Sequence, residues 1–116
     1  MISRRRIIGT TNLKLTCNKQ VLIDIIEDYI EKNENSFSFK ELYNYIKHIA
    51  NENNYFDKEP NTEYSQIELL SVDVQTVNLI IWEKIWNKTL IIDFYKNLYR
   101  QYPEEFYFIK VRESRD

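Results

Sequence analysis

The chain has 116 residues, 43% of them hydrophobic and 29% charged, with one glycine, two prolines and a formal net charge of −2. That length suits one domain with its own core, and so much apolar content with so few chain breakers excludes a low-complexity or disordered chain. A lone cysteine, Cys17, excludes an internal disulfide and a cysteine-based zinc site within the chain, and it points to a reducing, intracellular setting.

Charge is unevenly distributed. Residues 1–20 hold Arg4, Arg5, Arg6, Lys14 and Lys19 and no acid, which makes them +5 and leaves −7 on the remainder. A uniformly basic nucleic-acid footprint is therefore missing, and a basic arm on an acidic body takes its place. Arg4 to Arg6 are not followed by the apolar core of a secretory signal, and no run of about 18 apolar residues offers a membrane span, so the expectation is a soluble protein with no membrane partner.

In chain order, residues 1–18 read as the basic arm, with β-branched residues from Ile7 and an alternation at Leu13, Leu15 and Cys17 that suggests a short strand. From Lys19 to about Asn33, Leu22, Ile25, Ile26, Tyr29 and Ile30 follow the spacing of a helix with one buried stripe, and Asp24, Glu27, Asp28 and Glu31 fill the other face. Ser38-Phe39-Lys40-Glu41 is an S-x-x-E capping box, flanked by Phe37 and Leu42 at the positions of a hydrophobic staple. It predicts a helix from Ser38 to Asn54 with Phe39, Leu42, Tyr43, Ile46, Ile49 and Ala50 on its apolar face.

Residues Asp57 to Ser65, centred on Pro60-Asn61, read as a polar loop, and Ile67 to Val72 fits either a strand or a first helical turn. Val74, Val77, Ile81 and Ile85 share a helical face, yet Leu79, Ile80, Trp82 and Trp86 make that segment apolar nearly all round. Such a helix is either enclosed on most sides or presents an adhesive face. Ile91 to Tyr102 repeats an amphipathic helical spacing that Pro103 ends, and Phe106 to Val111 alternates like an edge strand. The sum is a mainly α fold: a compact bundle of about four helices with short terminal β segments, over residues 19–111, followed by a frayed tail at 112–116.

Catalytic and nucleotide motifs do not occur. With Gly9 as its only glycine the chain has little means to build a phosphate-cradling loop, and His48 has no companion at metal-ligand spacing. Neighbouring carboxylates such as Glu27 with Glu31 read as a solvated face. The expectation is a protein without enzymatic activity, catalytic residues, metal or cofactor.

Two sets of residues carry the functional expectation. Tyr43, Ile46, Phe56, Ile81, Trp82 and Trp86 belong to the types that dominate interface hot spots, and the same residues would also serve as core. Seventeen aromatic residues exceed what a small core needs, so part of the surplus belongs at the surface. Arg4, Arg5 and Arg6 with Lys14 form a basic arm of the kind that follows a phosphate backbone, or a terminus whose charges only aid solubility.

Leu15 to Phe56, with the Lys19-Gln-Val-Leu-Ile-Asp-Ile-Ile segment, the Ser36-to-Lys47 helix start and the Tyr55-Phe56-Asp57 exit, resembles the SWIB/MDM-type domains. The resemblance extends through Ile81-Trp82-Glu83-Lys84-Ile85-Trp86 and rests on apolar pattern. It implies a compact helical protein-interaction module that holds an amphipathic helix in a cleft, lined by Tyr43, Ile46, Ala50, Phe56, Ile81 and Trp82. Lys47 and Asn51 depart from that pattern, standing where a small and an apolar residue are usual. The leading expectation is thus a non-enzymatic protein-interaction module, with another protein or a second copy as partner. The rivals are a winged-helix-like nucleic-acid-binding regulator using the arm, and a small viral or plasmid-borne inhibitor of a host protein complex.

Overall fold

A computed structural model describes residues 6–93 and 106–111. Among them run, in order, β1 (Arg6–Leu13), α1 (Lys19–Lys32), β2 (Phe37–Ser38), α2 (Phe39–Glu52), β3 (Thr62–Leu69), α3 (Ser71–Trp86), β4 (Leu90–Ile92) and β5 (Tyr107–Lys110). The mainly α, all-helical bundle of four helices is therefore corrected to a mixed α/β fold of three described helices and two small sheets. Most of the expected fourth helix, together with Arg4, Arg5 and the tail at 112–116, lies outside the described residues. Its described beginning, Leu90–Ile92, is strand β4.

One sheet is a two-stranded parallel ribbon in which β1 lies beside β3, from Arg6 opposite Thr62 to Leu13 opposite Leu69. The expected loop at 57–65 accordingly ends at Asn61, which takes a left-handed φ of 56°, and the chain is already extended at Thr62. Of the two readings open for Ile67 to Val72, the strand holds for Ile67–Leu69 and the helix from Ser71, while nothing local announced the strand's first half, Thr62–Gln66. Its side chains are polar because most of them meet water, and its pairing partner lies more than fifty residues away. The Asn12 amide closes the ribbon's far end by donating to the Leu69 carbonyl at 2.9 Å.

The second sheet has the order β2-β5-β4, with antiparallel pairs Phe37 opposite Phe108 and Ile92 opposite Phe108. The segment expected as an edge strand is thus the central one. Two-residue β2 supplies its second neighbour, and a strand that short leaves no periodicity in the sequence.

Helix starts and stops follow local chemistry where the sequence is explicit. Asn18 caps α1, its side-chain oxygen accepting from the Val21 amide at 2.9 Å. At α2 both halves of the capping box form: the Glu41 amide donates to Ser38 Oγ at 3.2 Å and the Ser38 amide donates to Glu41 Oε2 at 3.3 Å. Phe37 and Leu42, the staple pair, are buried.

The core gathers between the three helices and the β2-β5-β4 sheet. Leu22, Ile26 and Ile30 enter from α1, Phe39, Leu42, Ile46 and Ala50 from α2, Val77, Ile80 and Ile81 from α3, and Leu90 and Phe108 from the sheet. Phe39 and Phe108 meet edge to face with centroids 4.9 Å apart, a geometry that aromatic rings favour.

Candidate partner-binding face of helix α3

Helix α3 is held in place by contacts along its length. In its first turn Asp73 accepts the Leu15 amide at 2.8 Å, which also sets a carboxylate near the positive end of the helix dipole. At its middle the Tyr43 hydroxyl of α2 donates to Asn78 Oδ1. Toward its end Lys84 reaches Glu27 of α1 at 3.0 Å. The helix then closes on Lys88, whose φ of 63° is left-handed, with the Lys88 amide bonded to the Ile85 carbonyl and the Thr89 amide to the Lys84 carbonyl. That pair of bonds is a Schellman closure in which lysine occupies the place glycine usually takes.

With Val77, Ile80 and Ile81 turned into the core, the opposite face of α3 is left to solvent, and it is apolar. Val72 is 48% exposed, Leu79 63%, Trp82 41% and Trp86 86%. Gln75 is exposed between them and Glu83 beside them. The two tryptophans differ in footing. Trp82 rests its inner edge on Phe39 and Phe108, with ring centroids 6.4 and 6.1 Å away, whereas Trp86 stands almost free one turn further on.

The six residues expected to bind a partner are thus divided. Ile46 and Ile81 have no exposure and Phe56 has 5%, so these three are corrected to core. Phe56 also bridges to Leu15 beneath β1. Ala50, which the resemblance would set in a cleft, is fully buried as well. Tyr43 is half-buried, stacked on Phe39 and bonded to Asn78, so it supports α3 from behind. Trp82 and Trp86 reach the surface on one face. Val72 and Leu79 complete that face and were missed. Their signal was the second apolar stripe that made the segment look apolar all round, and only the placement of the core tells which stripe is outside.

The basic arm is also divided. Arg6 begins β1 and pairs with Glu59 at 3.4 Å, and Lys14 is exposed just beyond the strand's end. Lys47 extends to Glu68 at 2.9 Å and ties α2 to β3, and this ammonium holds the Glu68 carboxyl below its ordinary range. Cys17 is half-buried, and burial pushes its thiol above the usual value, toward the unreactive form. No group of three or more histidines, cysteines or carboxylates is gathered for a metal among the described residues, and no described helix is long and apolar enough to cross a membrane.

No protein-family model, no curated protein and no solved structure matches this chain.

Proposed function

We propose that the chain is a non-enzymatic protein-interaction module that engages its partner through the outer face of α3. One observation carries the reading: Val72, Leu79, Trp82 and Trp86, all on one side of a helix fixed at three points, are left in water. Scattered exposed apolar residues are ordinary, but contiguous ones that include two tryptophans mark an interface. Trp82 supplies a pre-positioned anchor, and burying an aromatic or leucine side chain completely is worth roughly 1.5 to 3 kcal/mol.

The nucleic-acid reading has less support. From α1 onward the described elements run helix, strand, helix, strand, helix, strand, strand, and with β3 set aside that order is compatible with a winged-helix-like regulator. Such a regulator lays a helix into a groove and needs donors for phosphates and base edges on its exposed face. The exposed face of α3 offers Gln75 and an acid, Glu83, and its one lysine is engaged with Glu27.

The test is capture of interacting proteins by the full chain with nuclease present, repeated with Leu79→Asp and with Trp86→Ala. Loss of captured protein with an unchanged thermal unfolding curve is the expected outcome. Binding undiminished in both variants, or capture that disappears with nuclease, would remove the reading.

A further inference from the structure

Of the seven exposed residues of α3, five fall at 72, 75, 79, 82 and 86, an alternation of three and four, and the other two, Ser71 and Glu83, flank that line. That spacing is narrower than a globular helix needs for its core face, and it is the seam by which two helices pair in a coiled coil. It lies on the side opposite Val77 and Ile81, so α3 carries one face for its own core and a second, two-heptad seam of about four turns for another helix. We propose that the occupant of this seam is α3 of a second copy of the chain, packed antiparallel about a two-fold axis; the proposal rests on the reading of α3 as the binding face.

Two properties of the seam fit a copy of itself, and a third sets the strength of the pairing. The first is size. Small or slender residues, Val72 and Gln75, occupy its beginning and the tryptophans its end, so antiparallel pairing sets Leu79 against Trp82 of the other copy and Gln75 against Trp86. Each bulky side chain then meets a slighter one, and an indole N–H faces an amide able to accept it. Parallel pairing would stack tryptophan on tryptophan at both positions.

The second property is charge. Ser71, Thr76, Asn78 and Ile85 border the seam, with Glu83 as its one bordering charge. A parallel pair would hold the two Glu83 carboxylates at the same height. An antiparallel pair about an axis between Leu79 and Trp82 offsets them by about five residues, roughly 7.5 Å along the axis, and opposes the two helix dipoles.

The third property is area. Two partly exposed tryptophans, a leucine and a valine offer less than the roughly 800 Å² per partner of a standard interface. The pairing is therefore reversible and concentration-dependent. Its dissociation constant is expected on the order of tens of micromolar or weaker.

Sedimentation equilibrium of the full chain from about 1 µM to 1 mM would measure it. A monomer–dimer equilibrium in that range is expected, weakened at least tenfold by Leu79→Asp and by Trp86→Ala, neither of which reaches the core. Orientation is read by oxidising Cys17→Ser chains that carry Gln75→Cys or Trp86→Cys. Antiparallel pairing gives a disulfide only in the mixture, whereas disulfides within each separate preparation would overturn the proposed geometry. A folded chain that stays monomeric to 1 mM overturns self-pairing. In that event, capture of another protein that is lost with Leu79→Asp leaves the binding face standing, and capture indifferent to the substitution removes both.

Discussion

Helices α2 and α3 feed the same core, yet they are finished by different means. Helix α2 opens on a complete capping box and closes at Asn54, whose φ of 58° suits asparagine well. Its inner face is apolar, and its outer face carries Lys40, Asn44, His48 and Asn51. Helix α3 opens at Leu70 with no side-chain cap, closes at a lysine in the left-handed region, and is apolar inside and out. Local sequence specifies α2 almost alone. Tertiary contacts hold α3, and the fold covers only one of its two apolar stripes.

The largest effect that distinguishes those stripes comes from truncating each in turn. Ile81→Ala on the inner stripe should cost about 2 to 5 kcal/mol, as should Ile46→Ala on α2, because each leaves a cavity among fully buried neighbours. Trp86→Ala on the outer stripe should change the stability of the monomer by no more than about 0.5 kcal/mol. Urea unfolding at low protein concentration measures all three. A large loss from Trp86→Ala would show that its ring is packed against the fold.

The difference between the helices also explains what could be read beforehand. The start of α2, the buried stripe of α1 and the β-branched stretch of β1 were legible because their signals are local: a capping box, a 3.6-residue period, β-branched residues; the strand ends at Leu13, short of the alternation at Leu15 and Cys17. Strand β2 and the first half of β3 were not. The first is two residues long, and the second is polar and owes its form to pairing with β1. For α3 the composition disclosed two stripes, and the choice between core and surface for Ile81 and Trp82 depended on where α1, α2 and Phe108 came to lie. The cleft residues Ile46, Ala50 and Phe56 were recognised as apolar and assigned to the wrong side for the same reason.

Smaller effects probe the helix ends. Ser38→Ala should destabilise the protein by about 1 kcal/mol, since the Glu41 amide loses its acceptor at the start of α2. Lys88→Gly should do the reverse at the end of α3, by roughly 0.5 to 1 kcal/mol, because glycine meets no steric penalty at a φ of 63°. Asn54→Gly at the end of α2 should gain less, asparagine being already tolerant there. Thermal melts of the three variants separate these cases, and a destabilised Lys88→Gly would mean that the lysine side chain contributes more than its backbone conformation costs.

The smallest effect concerns the outer face of α2, which is fastened where that of α3 is open. Lys47 and Glu68, with side chains 20% and 35% exposed, link this face to the β1–β3 ribbon, and Gln66 supports the same carboxylate at 2.7 Å. The hydrogen bond from Lys47 lowers the folded-state pKa of Glu68, so the pair stabilises the protein above the ordinary glutamate value near 4.3, and the contribution fades as pH falls through the lowered folded value. For a pair this open to water it should stay below about 1 kcal/mol and weaken with salt. The stability of the wild-type chain relative to Glu68→Gln should therefore be constant from pH 7 to about 5 and shrink on further acidification. A difference that persists at pH 3 would assign the role of Glu68 to packing against α2 instead of to its charge.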